Sequence, residues 1–193
     1  MFLSKQNPNH TSVRAAIAEL SGEAVVLKRI GESEFGALHQ ALQTPLFYES
    51  AGFASAPNEE RLRNIFIEKE HLILWRMSRK EDGYQCGYCG WSDFAGPAYV
   101  FFVPADENPM DLLMVSEALE LIGVTYFQMT PAKELFIYVD RPIDEEIHET
   151  LVESGFDPWE ELPSIDNEKE AGYSMTRDTF EAYYGDSDGD FES

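Results

Sequence analysis

The chain has 193 residues, 44% hydrophobic and 13% aromatic, enough apolar material for one packed domain with appendages and too much for a disordered chain. It carries 14 basic residues against 36 acidic ones, a formal net charge of −22, and residues 140–193 hold 18 of the acids with only 3 basic groups. A field of that sign excludes nucleic acid and anionic membrane as partners and favours cationic ones, a basic protein or an amine, although plain solubilising charge has the same signature.

The apolar runs "HLILW" and "AYVFFVPA" are far shorter than the roughly 20 residues that cross a bilayer. The start, "MFLSKQNPNHTS", lacks the basic and apolar regions of a secretory signal, and two cysteines without a signal fit a reducing, cytoplasmic compartment. Residues 1–22 read as an arm in which "TSVRAAIAEL" (11–20) forms a short helix closed by Ser21 and Gly22. "EAVVLKRI" has the β-branched content of a strand. "ESEFGALHQALQT" sets Phe35, Leu38 and Leu42 at helical spacing, with Ser33 as candidate cap and Pro45 as stop. "FYESAGFASAPN" is a loop, and "EERLRNIFI" a second short helix.

Three strand-like runs follow, "HLILWRMS", "QCGYCGWSDF" and "AYVFFV", joined by the turn signals "RKEDGY" and "AGP", which predicts an antiparallel meander. "NPMDLLMVSEALELIGV" is the best helix, with Asn108 placed to cap it, Pro109 at its first position, and Leu112, Val115, Leu119 and Ile122 along one face. "ELFIYVD" is a buried strand. "IDEEIHETLVESGF" is a helix capped by Asp144 and stopped at Gly155. "AGYSMTR" closes the sheet, with room for one more strand near 159–165, and "DTFEAYYGDSDGDFES" trails off as tail. The domain spans 23–180 and the acidic tail 181–193. The order predicts an α/β (α+β) fold, a mixed central sheet of about six to seven strands with helices on both faces.

Cys86 and Cys89 make a C-x-x-C, the spacing of thiol oxidoreductases and of half a zinc site. Here it is mid-chain, no helix follows, and no second pair completes a zinc set. On a strand, residues three apart point to opposite faces, so the two thiols read as small buried side chains and the glycines between them as points of close approach. The aromatics Trp75, Tyr88, Trp91, Tyr99, Phe101 and Phe102 on the meander read as core, with a pocket for an apolar ligand as the alternative.

The element order, with "CGYCGW", "VESGFDPW" and "GYSMTRD", resembles the GNAT superfamily of N-acyltransferases over about residues 24–180. The resemblance implies acetyl-CoA or another acyl-CoA bound where the family's fourth and fifth strands splay, its pyrophosphate on backbone amides of a glycine-rich turn at the next helix start. The matching stretch is "VPADENPMDLL". Aligned on Pro104, it sets Glu107 at the basic or amide position and Met110 and Leu112 at the glycine positions, and no glycine occurs between Val103 and Gly123. Pro109 has no amide hydrogen, Asn108 would occupy a first-turn donor, and Asp106, Glu107 and Asp111 oppose a helix end worth about +0.5 charge. The family's tyrosine acid, four residues before the helix-ending glycine, falls at Leu151, so Tyr138 is the candidate substitute. Within the resemblance, backbone amides at Phe102 and Val103 would hold the thioester carbonyl, Asn108 and Met110 would border the cofactor, and Asp93 or Glu107 would deprotonate an amine through a water.

His10, His39, His71 and His148 share no i, i+4 spacing, and "DSDGDFE" (186–192) imitates only the opening of a calcium loop, so no metal is expected. Two functions stand: an acyl-CoA-dependent N-acyltransferase, and a non-catalytic acidic binding or regulatory module on the same fold. A thiol or zinc protein comes third.

Overall fold

In a computed structural model of the chain, the structure describes residues 17–31, 34–43, 54–64, 72–92, 98–105, 110–159 and 170–184. Among them run β1 (Glu19–Ser21), β2 (Val25–Arg29), α1 (Phe35–Ala41), α2 (Glu59–Arg63), β3 (Leu72–Arg79), β4 (Gln85–Ser92) and β5 (Tyr99–Pro104). The second half holds α3 (Leu112–Met129), β6 (Glu134–Asp140), α4 (Glu145–Glu153), β7 (Asp157–Trp159), β8 (Glu170–Thr176) and α5 (Arg177–Tyr184). The strands form one 8-stranded sheet in the order β1-β2-β3-β4-β5-β6-β8-β7. All neighbours are antiparallel except β5 and β6, where α3 forms the crossover that a parallel pair requires.

Alternation decides what each face meets. Trp75, Met77, Cys89, Trp91, Val100, Leu135, Ile137 and Tyr173 pack with α3, Leu151 of α4 and Phe180 of α5. Leu74, Tyr88 and Val103 point the other way, onto Phe35 and Leu38 of α1 and Leu62 of α2. Through the first layer runs a chain of edge-to-face rings, Trp75–Trp91 at 5.2 Å, Trp91–Tyr126 at 5.3 Å and Tyr126–Phe127 at 5.4 Å, which ends in Phe180 stacked on Phe127 at 5.0 Å. Trp75 and Trp91 are therefore core. Met114, Leu119, Ile122 and Tyr126 bury one side of α3, so a helix with the length and apolar composition of a membrane span serves here as the core helix.

Several sequence expectations need correction. The sheet has eight strands among the described residues, not six to seven, and one of the additions is β1, where a helix over 11–20 was expected. Glu19–Ser21 pairs with Lys28, Leu27 and Val26, and the turn is closed by Gly22 N–H donating to the Val25 carbonyl at 2.9 Å. A carboxylate from α3 holds that turn: Glu117 accepts from the backbone N–H of Glu23, of Ala24 at 2.9 Å and of Val25 at 2.7 Å. Residues 11–16 and Ser33 lie outside the described residues; α1 starts at Phe35 after Glu34, which makes no side-chain cap.

The long helix begins later than the sequence suggests. Asp111 is its cap, accepting from Leu113 N–H at 3.0 Å, so neither Asn108 as cap nor Pro109 as first residue describes its start; both lie outside the described residues. Asp144 caps α4 as expected, and Gly155 ends it at φ +83°, a backbone that side-chain-bearing residues rarely adopt. Residues 178–184 are helix where tail was expected. Phe180 anchors them in the core, and Arg177 donates to the Thr130 carbonyl at 2.7 Å and the Ala132 carbonyl at 3.0 Å, tying α5 to the end of α3.

Candidate functional site

The site follows from one interruption in the sheet. β5 and β6 share only two register pairs, Tyr99–Phe136 and Val100–Ile137, and then part. Phe136 N–H donates to the Ala98 carbonyl at 2.9 Å, so even-numbered residues of β5 direct their backbone groups toward β6. Ala105 N–H donates to the Cys86 carbonyl at 3.0 Å, so odd-numbered ones direct theirs toward β4. By this alternation the Phe102 amide faces the opening and the Val103 amide faces β4. Of the two amides expected to hold a thioester carbonyl, the geometry makes Phe102 available and commits Val103 to the ladder with Tyr88.

The other candidates divide. Tyr138 is on β6, but on the face turned away from α3, with its ring 6.0 Å from that of Tyr99. Burial above all, then the Glu170 carboxylate and Tyr99, raise its phenol pKa, so it stays a neutral donor at ordinary pH. Met110 packs on the core beside Gly87, where an added Cβ would lie 3.3 Å from its sulfur and collide with the Val103 carbonyl oxygen. A methionine side chain thus occupies space next to the helix start where the family's turn has bare backbone. Asp93, Glu107 and Asn108 lie outside the described residues. Leu151, at the acid position, is 2% exposed and belongs to the core.

The start of α3 is self-satisfied. The Asp111 carboxylate occupies the Leu113 amide and sets a negative charge at the N-terminus of α3, which opposes an anion there. Beside it an open cleft of about 480 Å³ is lined by residues including Arg79, Lys80, Glu23, Glu81 and Asp111. Arg79 pairs with Asp82 at 3.2 Å and Lys80 donates to the Gly22 carbonyl at 2.7 Å, so both cations are already engaged.

The cysteines behave differently from the expectation in one respect. Met77 pairs with Gly87 but Ser78 with Gln85, which makes Cys86 the extra residue of a β-bulge. The bulge resets the alternation: Cys86 Sγ lies 3.6 Å from Met114 Sδ, against the same core layer that contains Cys89, rather than on the opposite face. Both thiols are free, and burial raises the pKa of each. Among the described residues no three His, Cys, Asp or Glu side chains gather as a metal site. The glycines do allow close approach, since a Cβ on Gly90 would strike the Ile73 carbonyl.

No family model matches the chain, and no curated protein matches it in sequence. Solved structures match it in shape. RimL, a ribosomal L7/L12 α-N-protein acetyltransferase in complex with coenzyme A, superposes with a TM-score of 0.59 at 12% identity, covering 82% of this chain and 97% of that one. The chain has the GNAT fold. A GNAT-family acetyltransferase from Bacillus anthracis matches with a TM-score of 0.57 at 11% identity over 82% of this chain and 98% of that one. An uncharacterized protein from Bacillus halodurans reaches 0.63 at 12% identity over 88% and 96%. The GNAT fold expected from three short phrases and an element order is therefore the fold of this chain. Sequence reading missed the bulge at Cys86 and the Asp111 cap. The signal for the cap is the Asp111 side chain itself, immediately before the apolar run Leu112–Leu113–Met114.

Proposed function

We propose that the chain is an acyl-CoA-dependent N-acyltransferase that takes the acyl-pantetheine arm into the opening between β5 and β6. The observation that carries this reading is the parting of the two strands after two register pairs, which leaves the Phe102 amide on an open edge. An acyl-CoA would supply the acyl group as a thioester, and RimL, of the same fold, is a structure in complex with coenzyme A. The acceptor amine forms a bond from nitrogen to the carbonyl carbon, the carbon–sulfur bond breaks, and the departing thiolate takes up a proton. Phe102 N–H would stabilise the charge developing on the carbonyl oxygen. Tyr138, a neutral phenol, is the proposed proton donor, and Asp93 or Glu107 the proposed base, acting through a water. Asn108 and Met110 would border the nucleotide end. The charge of −22 supports a basic protein or an amine as acceptor, and two free thiols support the cytoplasm as the compartment.

A second reading, a non-catalytic acidic binding or regulatory module, is favoured by the capped start of α3 and by Leu151 at the acid position. Thermal melting with acetyl-CoA separates the two. At ~100-fold excess over Kd a ligand adds about 2.7 kcal/mol, a rise of roughly 5–11 °C for a chain of this size. Absence of a shift with acetyl-CoA and with longer acyl-CoAs would sink the transferase reading, and salt-sensitive capture of a basic protein would then support the module.

A further inference from the structure

Among the described residues, α1 and α2 cover the sheet face they pack on over β2 to β5, where Phe101 lies against their cluster. Beyond it, alternation sets on that face Tyr99 at the start of β5, Phe136 and Tyr138 of β6, and Trp159 of β7. The rings form two groups: Tyr99 lies 6.3 Å from Phe101 and 6.0 Å from Tyr138, and Phe136 lies 4.8 Å from Trp159. Phe136 is buried, whereas Tyr99 is 37% exposed and Phe101, Tyr138 and Trp159 are half-buried, so ring surface remains open to a ligand. Over β5 to β7 the charge on the face is of one sign, whereas on β3 Arg76 shares the face in register with Tyr88. The residues in register with these rings include Asp140, Glu170, Asp157 and Glu134, and no lysine or arginine occurs on the face of β5, β6, β8 or β7. Arg141, at the end of β6, donates to the Glu170 carbonyl at 3.0 Å and acts electrostatically on Tyr173, which points to the opposite face.

Aromatic faces carry negative quadrupole potential, and an organic cation gains from them most where carboxylates stand close by. We propose that this shelf binds an alkylammonium group, seated on Tyr99, Tyr138 and Trp159, bordered by Phe101, with Glu170 and Asp140 as its counter-charges. Binding of the cation does not depend on acyl transfer; only its role as the acceptor's recognition site rests on the function proposed above. On that reading the amine is delivered at the parting of β5 and β6, because Tyr99 belongs to the last paired registers and Phe101 to the first unpaired ones.

The test is a calorimetric titration of the full chain, without any acyl-CoA, using choline as probe and its neutral isostere 3,3-dimethyl-1-butanol as control. Choline is expected to bind several-fold more tightly than the alcohol. Tyr99→Leu, which keeps apolar bulk and removes the ring, should weaken choline by roughly two- to fivefold while leaving the alcohol unchanged. Glu170→Gln should act in the same direction, and Tyr138→Phe, which keeps the ring, should preserve binding. Equal affinity for choline and the alcohol, or a Tyr99→Leu variant that folds and binds choline as before, overturns the proposal. A thermal shift with acetyl-CoA alongside failed choline binding would leave the transferase reading standing and remove only this one.

Discussion

Glu117 holds the β1–β2 turn to α3 with one carboxylate and three backbone amides. Glu117→Ala leaves those amides without acceptors. The Glu23 amide is exposed and rehydrates, but Ala24 and Val25 are part-buried at these contacts, and a buried orphan donor costs about 1–3 kcal/mol. After a small gain in helix propensity, the net loss is about 2–4 kcal/mol, or roughly 4–16 °C in Tm. Gly22 offers an independent entry to the same contact, because a Cβ there would meet the Glu117 carboxylate directly. The carboxylate can swing away cheaply, but only by releasing its three amides. Gly22→Ala should therefore destabilise through the same lost bonds, and the double variant should be little worse than either single one. Urea unfolding of the four proteins measures the coupling, expected above about 1 kcal/mol for a shared contact. A Glu117→Ala protein that melts within a degree of the parent, or strictly additive losses in the double variant, would refute the reasoning.

Tyr184, which donates to the Ser154 carbonyl at 3.2 Å, has its phenol pushed up to about 12, by burial first and then by Glu120 and Tyr183. The folded state thus favours the neutral phenol: its contribution is whole below about pH 10 and disappears as pH rises through about 12, so Tyr184→Phe should flatten the alkaline loss of stability in that window. A parent and variant with the same alkaline melting profile would contradict this. Asp111→Asn keeps the cap and removes a charge, so acetyl-CoA affinity measured by calorimetry should rise by roughly two- to fivefold if phosphates approach α3; unchanged affinity would mean that they bind elsewhere. Cys86→Ala with Cys89→Ala should fold and bind as the parent does, and thiol titration of the parent should find Cys89 unreactive until unfolding, since it is fully buried. Metal lost from the double variant would restore the zinc reading.

The sequence made the sheet legible wherever short, continuous apolar runs lay between turn signals. "HLILWRMS", "AYVFFV" and "ELFIYVD" are β3, β5 and β6, and the Asp144 and Gly155 signals bound α4 as expected. It failed where a distant contact overrides local pattern. Residues 19–21 look helical in isolation, and only pairing with β2 and the reach of Glu117 across 94 positions make them a strand. The Cys86 bulge is invisible because alternation in "QCGYCGW" has no strong hydrophobic period to break. For the site, the resemblance implied an opening in the sheet and an acid position, and the residues showed the missing glycines and Leu151 where the acid would stand. Which of two neighbouring amides faces the opening is a matter of strand parity, fixed only by the bonds at Ala98 and Ala105.

The two outermost strands, β1 and β7, are each three residues long. An unpaired strand edge is a template for other chains, and a long flat one invites stacking into aggregates. Here one margin is too short to template much and bears Glu19, while the other bears Asp157 and Pro158, a residue with no amide hydrogen to offer a newcomer. Both margins of an otherwise adhesive eight-stranded surface are thereby blunted. The sheet parts in its middle, between β5 and β6, while its sides offer a neighbour little to pair with.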